Sequence, residues 1–381
     1  MLKAAYIHIP FCHHICHYCD FNKVFMARQP VEDYLLSLKK EMGISMKENP
    51  VPYFRSVFVG GGTPTALDER QLELLVESIH EILPYDQQTE YTFEANPGDL
   101  SKEKLRILKA AGVNRLSFGV QSFNDDLLKK IGRSHRAEDV FKSIHEAQDI
   151  GFENISVDLI YSLPGQTIED FEATLKTALD LELVHYSGYS LIIEPKTVFY
   201  NLLNKGKLRL PGEDIEARMY EMLMDKMEAR GLKQYEISNF AIPGFESYHN
   251  LTYWNNDEYF GFGAGAHSYV NGYRRSNYGP LKKYMDPLNE GNLPLMDNHL
   301  TTKSERMEEE MFLGLRKTEG VSIPRFTEKF QVNPEVLFVE EIKDLTARKL
   351  LVVDENHIKL TRNGRLLGNE VFQSFLGISN D

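Results

Sequence analysis

The sequence predicts an α/β protein: a mostly parallel sheet curved into a partial barrel of six β/α units, followed by a smaller α+β module. Three observations predict this. From Ala4 to Ile193, short apolar runs alternate with longer segments whose apolar residues recur at helical spacing. Some of the longer segments stop at a glycine, as at Gly112 and Gly151, the residue that most readily closes a helix. Polar and glycine-rich motifs fall where apolar runs end, the face on which parallel β/α folds carry their chemistry. Six units rather than eight leave the barrel open. A length of 381 residues accommodates such a domain and an appendage.

In chain order, Ala4–Ile9 is a short apolar strand, and Val31–Met46 carries Val31, Tyr34, Leu35, Leu38 and Met42 on one helical face. Ser56–Val59 reads as a buried strand running into Gly60-Gly61-Gly62-Thr63-Pro64, and Asp68 is placed to cap a helix that reaches Leu83. Tyr91–Glu94, Arg115–Gln121, Ile155–Tyr161 and Tyr186–Ile193 complete the strands. Between them lie helices over Ser101–Ala111 and Glu138–Ile150, and one opened by a capping box at Thr167-Ile168-Glu169-Asp170. Glu213–Arg230 is helical, Gln234–Phe240 is strand-like, and Tyr248–Tyr278 is dense in aromatics, Gly and Asn. From about Leu300, helices over Glu305–Arg316 and Pro334–Lys349 precede a hairpin about Glu355-Asn356, a pattern that resembles a winged-helix module. Three parts are expected: a barrel over 1–235, a connecting region over 236–299, and a winged-helix-like domain over 300–381.

Charge excludes some functions. With 43 Lys and Arg against 56 Asp and Glu, the chain carries net −13, which argues against nucleic-acid or anionic-membrane binding. The segment from Leu300 holds 12 basic and 14 acidic residues, the wrong balance for a module that reads DNA. No apolar run approaches the ~18–20 residues of a membrane span, and no signal peptide is expected ahead of the first strand.

All three cysteines, Cys12, Cys16 and Cys19, lie in one loop with spacing C-x3-C-x2-C. Three thiols cannot pair off, and such close neighbours make poor bridges. A soft metal or an iron–sulfur cluster explains them better. Three sulfurs on a four-iron cluster leave one iron open; zinc is the competitor, with His8, His13, His14 or His17 as a fourth ligand.

Other candidates sit at strand ends. Gly60, Gly61, Gly62 and Thr63 form a run whose backbone can approach a ligand closely, or simply turn the chain. Glu94 can accept hydrogen bonds from a ribose or an ammonium, or sit solvated in its loop. Gln121, Arg133 and Asp158 come from the next strand ends and loops; Asp158, flanked by apolar residues, needs a partner if buried, and Arg133 is a possible one, in a structural ion pair or at a ligand. Tyr6 suits core packing as well as a cofactor wall. His249, in His249-Asn250-Leu251-Thr252-Tyr253-Trp254, could ligate a haem iron or belong to a packed loop.

These motifs together resemble the radical S-adenosylmethionine (SAM) superfamily, in the branch of oxygen-independent coproporphyrinogen III oxidases and HemW-type haem chaperones. The resemblance rests on Tyr6-x-His8, on the cysteine motif with Tyr18 before its last Cys, on GGGTP, and on Gly261-Phe262-Gly263-Ala264-Gly265-Ala266-His267-Ser268. It implies a (β/α)6 radical SAM barrel and a [4Fe–4S] cluster on Cys12, Cys16 and Cys19, with SAM on the fourth iron. It also implies contacts to SAM or the cluster from Tyr6, Tyr18, GGGTP, Glu94, Gln121, Arg133 and Asp158. The oxidase carries a further Cys two residues after the third, where this chain has Phe21, and an N-terminal extension that five residues before Tyr6 do not supply. H-N-x-x-Y-W is the haem-binding pattern of the chaperone group, with His249 as its histidine. The expectation is a cytoplasmic haem chaperone that passes haem to an apo-haemoprotein, membrane proteins included among the acceptors it allows, and compatible with a homodimer. The alternative is radical decarboxylation of coproporphyrinogen III. The GxGAGAHS segment has no role that the residues alone assign.

Overall fold

The computed structural model describes residues 2–377; Met1 and 378–381, the outer ends of the first and last expected domains, lie outside the described residues. Twelve strands form one sheet: β1 Ala4–Ile9, β2 Ser56–Gly61, β3 Glu90–Ala95, β4 Arg115–Gln121, β5 Asn154–Tyr161, β6 His185–Ser190, β7 Lys233–Gln234, β8 Asn239–Ala241, β9 Tyr259–Phe262, β10 His267–Val270, β11 Tyr273–Asn277 and β12 Leu295–Leu300. Their spatial order is β12-β11-β10-β9-β1-β2-β3-β4-β5-β6-β8-β7, with the two ends of the sheet unjoined. The six expected strands are present and pair in parallel. A seventh parallel strand, β9, lies beside β1. It was not foreseen because it has only four residues and a glycine among them. Residues 236–299, expected as a connecting region, run through β8 to β12 of this same sheet.

Local chemistry sets the helices. The Asp68 side chain accepts from Gln71 N, Ser101 from Lys104 N, and Thr167 from Asp170 N, each satisfying an orphan amide at a helix start. Gly151 closes the helix Ala137–Ile150 with φ 97°, a conformation costly to any residue with a Cβ. The helices pack one face on the sheet through residues such as Leu38, Leu72, Leu105, Val140 and Phe171. Gln234–Phe240 is not one strand: the chain reverses between β7 and β8, with Asn239 N donating to Glu236 O.

The C-terminal part has its own core of Met311, Leu315, Phe326, Phe338, Ile358 and Phe375. Its three short strands, β13 Val321–Ser322, β14 Leu351–Val353 and β15 His357–Leu360, pair antiparallel in the order β13-β15-β14. The helix expected over Pro334–Lys349 is two, Pro334–Leu337 and Val339–Ala347, because Phe338 leaves helical geometry at φ −111°, ψ 36°. No helix among the described residues is long and apolar enough to cross a membrane.

Polar contacts join the two parts. Lys317 Nζ donates to Asn255 Oδ1 at 2.7 Å, and Arg325 Nη2 to Asp257 Oδ1 at 3.0 Å. Arg316 stacks its guanidinium between Trp254 and Phe372. Buried in this seam, Glu236 has one carboxylate oxygen without a partner. Burial pushes its carboxyl up to about 7, only partly countered by hydrogen bonds from Asn239 and Ser238 and by Arg316. An acid whose folded-state value lies above its ordinary 4.5 withdraws stability as pH rises between the two values. Glu236→Gln is therefore expected to match the parent at pH 4.5 and to exceed it by about 1–3 kcal/mol at pH 8, as measured by urea unfolding at both pH values.

Candidate metal centre and cofactor pocket

The cysteine loop leaves the end of β1 and returns to it. Phe11–Cys12 pairs in parallel with Val24–Phe25, and Met26 N donates to Cys12 O at 3.0 Å, so the intervening residues form a closed excursion. All three thiols are free; Cys12 is buried, Cys16 and Cys19 half-buried. Burial pushes Cys12 up to about 11 and raises Cys19. The other two sulfurs add to the rise at Cys12, so the three share one neighbourhood. Thr63 and Lys23 oppose the rise at Cys12, and Lys23 that at Cys19; polar side chains also approach the loop directly. Thr63 Oγ1 donates to Cys12 Sγ at 3.6 Å, Arg133 Nη1 to Cys16 Sγ at 3.5 Å, and Lys23 reaches the Cys19 carbonyl. The Tyr18 phenol hydrogen-bonds Cys16, and its ring packs against an apolar cluster that includes Leu127, Ile131, Leu163 and Phe199.

A fourth donor is the test for zinc. His8 uses Nδ1 on Tyr6 OH (3.0 Å) and donates Nε2–H to Asn22 O (2.7 Å), while His17 Nδ1 is held by Lys130 O at 2.9 Å. Among the described residues no three His, Cys, Asp or Glu side chains stand close enough to hold a single ion. Three spaced thiols with cations beside them suit a multi-iron group that takes one thiolate per iron.

Behind the loop, inside the curve of β1 to β6, lies a cavity of about 230 Å³. Parallel register builds it: His8 stands beside Gly60, Glu94 beside Ser117, and Asp158 beside Ser187. Glu94 lines the wall and accepts from Gly61 N at 3.0 Å; burial pushes its carboxyl up to about 7. A Cβ on Gly60 would lie 2.7 Å from Glu94 Oε2, and one on Gly61, already at φ 118°, 2.5 Å from the His8 ring. These two glycines are required for close approach. The Thr63 hydroxyl, whose one hydrogen is shared between Cys12 Sγ and Gly62 O (2.8 Å), accepts from Asn96 Nδ2. Gln121 is a left-handed non-glycine residue (φ 67°) at a register shift between β4 and β5, the strain that recurs at functional sites.

Asp158 and Arg133 do not form the pair expected of them. Asp158 accepts from Ser117 Oγ at 3.2 Å and from Ser187, and burial raises its carboxyl. Arg133 Nη2 donates instead to Asn96 Oδ1 at 2.6 Å and to the Gly119 carbonyl. Two cations act on Asp158 through space, Arg115 and then Arg133; Arg115 is 2% exposed and its Nε has no partner. Arg115, Ser117, Ser187 and Tyr189 line the cavity but were missed, and Asn250 and Tyr253 of the H-N-x-x-Y-W motif line it beside them. The signal was present: Arg115-Leu116-Ser117-Phe118-Gly119-Val120-Gln121 alternates polar or small with apolar residues, the pattern of one wall facing a lumen.

His249 also lines the cavity and is 1% exposed. Nδ1 bonds Ser56 Oγ at 3.0 Å, Nε2 bonds Tyr253 OH at 2.8 Å, and the ring stacks on Phe58. Burial first, then Arg115, lowers its pKa to about 3, so the ring is neutral. Its helix, Tyr248–Trp254, starts on Glu90, which accepts from Tyr248 N and His249 N. His267, at the start of β10, is exposed.

Comparisons with known proteins agree with this architecture. Residues 6–178 match the radical SAM superfamily, and residues 301–367 match the HemN C-terminal domain. The chain is 57% identical to the heme chaperone HemW of Bacillus subtilis, over 99% of this chain and 100% of that protein. It is 47% identical to the heme chaperone HemW of Lactococcus lactis, over 98% and 97%. The solved structure of coproporphyrinogen III oxidase (HemN) from Escherichia coli, a radical SAM enzyme, superposes with a TM-score of 0.85 at 26% identity, covering 98% of this chain and 90% of that one. With the fold, the strand-end motifs and full-length identity in agreement, the chain belongs to the HemW family of radical SAM proteins.

Proposed function

We propose that this protein is a cytoplasmic haem chaperone: it carries a [4Fe–4S] cluster on Cys12, Cys16 and Cys19, binds SAM beside it, and delivers haem to an apo-haemoprotein. The observation that carries the reading is the full-length identity to HemW proteins together with Phe21, 60% exposed, where the oxidase pattern has a further cysteine. The cluster would leave one iron open to SAM. Gly60–Gly62 and Thr63 would then receive the methionine end, and Glu94, Gln121, Arg133 and Asp158 the remainder. Tyr6 and Tyr18 would close the sides.

Anaerobic reconstitution is expected to give four irons and four sulfides per chain. Cys→Ser at position 12, 16 or 19 should each abolish the brown chromophore. Zinc without acid-labile sulfide in the wild type would overturn the cluster. Coproporphyrinogen III, SAM and a reductant, supplied anaerobically, should give no decarboxylated product; protoporphyrinogen would restore the oxidase alternative.

Haem is assigned to His249 as axial ligand, which requires Nε2 to leave Tyr253 OH and the cavity to widen: about 230 Å³ is below the ~300–1,000 Å³ of ordinary ligand pockets. In haem titrations, His249→Ala should lose the ligand-dependent Soret shift. Tyr253→Phe, which frees Nε2, should bind several-fold more tightly. An unchanged Soret spectrum in His249→Ala would remove this ligand.

A further inference from the structure

The loop Gly261–Ser268 lines no part of the cavity wall described above, yet it touches the cysteine loop from behind. Asn22, three residues past Cys19, donates its amide Nδ2 to Ala264 O at 2.8 Å and to Gly279 O at 3.1 Å. Its own carbonyl accepts from His8 Nε2 at 2.7 Å. Tyr34 OH donates to His8 O at 2.7 Å and accepts from Ala264 N at 3.1 Å. Behind these contacts sits a buried carboxylate. Glu41 accepts from Gly263 N (2.8 Å), Asn277 Nδ2 (2.6 Å) and Tyr284 OH (2.5 Å), so both of its oxygens are used on this one loop and the elements packed on it.

The fit leaves no slack. A Cβ on Gly263 would lie 2.6 Å from His8 O, and one on Gly265 would lie 2.9 Å from Asn22. From the opposite side, Gly61 of GGGTP closes on the His8 ring. His8 is thus gripped between two glycine-rich loops, and the grip passes through Asn22 to the end of the cysteine loop. Phe21, the residue before Asn22, lines the cavity. The segment Cys19–Asn22 is therefore where the metal loop meets the ligand space, and Asn22 is what ties it down.

We propose that Gly261–Ser268 is a clamp that sets the orientation of the cysteine loop toward the SAM cavity, with Asn22 as its positioning residue on the loop and Glu41 as its anchor. The proposal rests on the cluster and SAM reading. It assigns a task to a motif that has no other, and it makes a distinct prediction. The cysteines alone decide whether a cluster forms; the clamp decides how the open iron faces SAM. Residues that orient ligands to a metal typically cost 10–100-fold when removed.

The test is the EPR signal of the reconstituted, reduced protein during SAM titration, beside iron and sulfide content and thermal unfolding. Asn22→Ala removes the tie, and Gly265→Ala drives a methyl into Asn22. Gly272→Ala is the control: it has the same left-handed backbone (φ 77°) in the same sheet, but its Cβ would meet only Leu300 at 3.6 Å. Asn22→Ala and Gly265→Ala are expected to bind iron and sulfide like the wild type. Each should need about 10–100-fold more SAM for the half-maximal spectral change, while Gly272→Ala follows the wild type. Wild-type protein without sulfide would remove the cluster reading beneath the proposal, and wild-type protein blind to SAM the SAM reading. A responsive wild type with unshifted Asn22→Ala and Gly265→Ala overturns the clamp alone. So does an equal shift in Gly272→Ala, which would mark general loosening, or failure of both clamp variants to fold, which would make the contact structural.

Discussion

Parallel pairing of β1 with β2 on one side and β9 on the other brings three loops from distant parts of the chain to one strand end. Ile9 stands beside Gly61, and Ile7 beside Phe262, so the metal loop, GGGTP and the second glycine-rich loop start within two residues of one another along β1. Side-chain direction along a strand has a period of two, and a slip of one residue would turn His8 away from both loops. Ala5, Ile7 and Ile9 are fully buried, which fixes that register through the hydrophobic core. The geometry of the site is thereby set by the same packing that stabilises the fold.

Inside the cavity, stability is given up for chemistry. Glu94 and Asp158 are both pushed toward the protonated form by burial, and the buried Arg115 guanidinium has an unpartnered Nε. Polar groups held out of water without full hydrogen bonding cost free energy. A wholly apolar lining would be more stable and would recognise nothing. That local rules fail in this one place, while helix caps and core positions obey them elsewhere, is itself a mark of a functional site.

Much of this was legible in the residues because it is local. Strand and helix periods, the caps at Asp68, Ser101 and Thr167, and the closing glycines each declare themselves within a few positions. The cysteine spacing and GGGTP likewise stand out within a few positions. What escaped depends on distance in the sequence. Four residues at Tyr259–Phe262 carry no period of their own, yet they pair with β1 some 250 positions earlier. Arg133 was matched to Asp158 because a buried carboxylate needs a partner, but loop conformation sends Arg133 to Asn96 and the Cys16 sulfur. The depth of His249 was equally hidden, since a seven-residue helix shows no clear buried face until Ser56 and Phe58 are placed beneath it.

The short helix Tyr248–Trp254 is anchored at both ends to different bodies. Its first amides are held by Glu90 of the barrel, and the turn after it is held by Lys317 and Arg325 of the C-terminal part. A helix of two turns does not stretch, so it behaves as a rigid strut with the imidazole of His249 mounted on it. Any tilt of the C-terminal part against the sheet must either break the strut or swing that ring. The mechanical state of one domain is in this way written directly into the floor of the other's chamber.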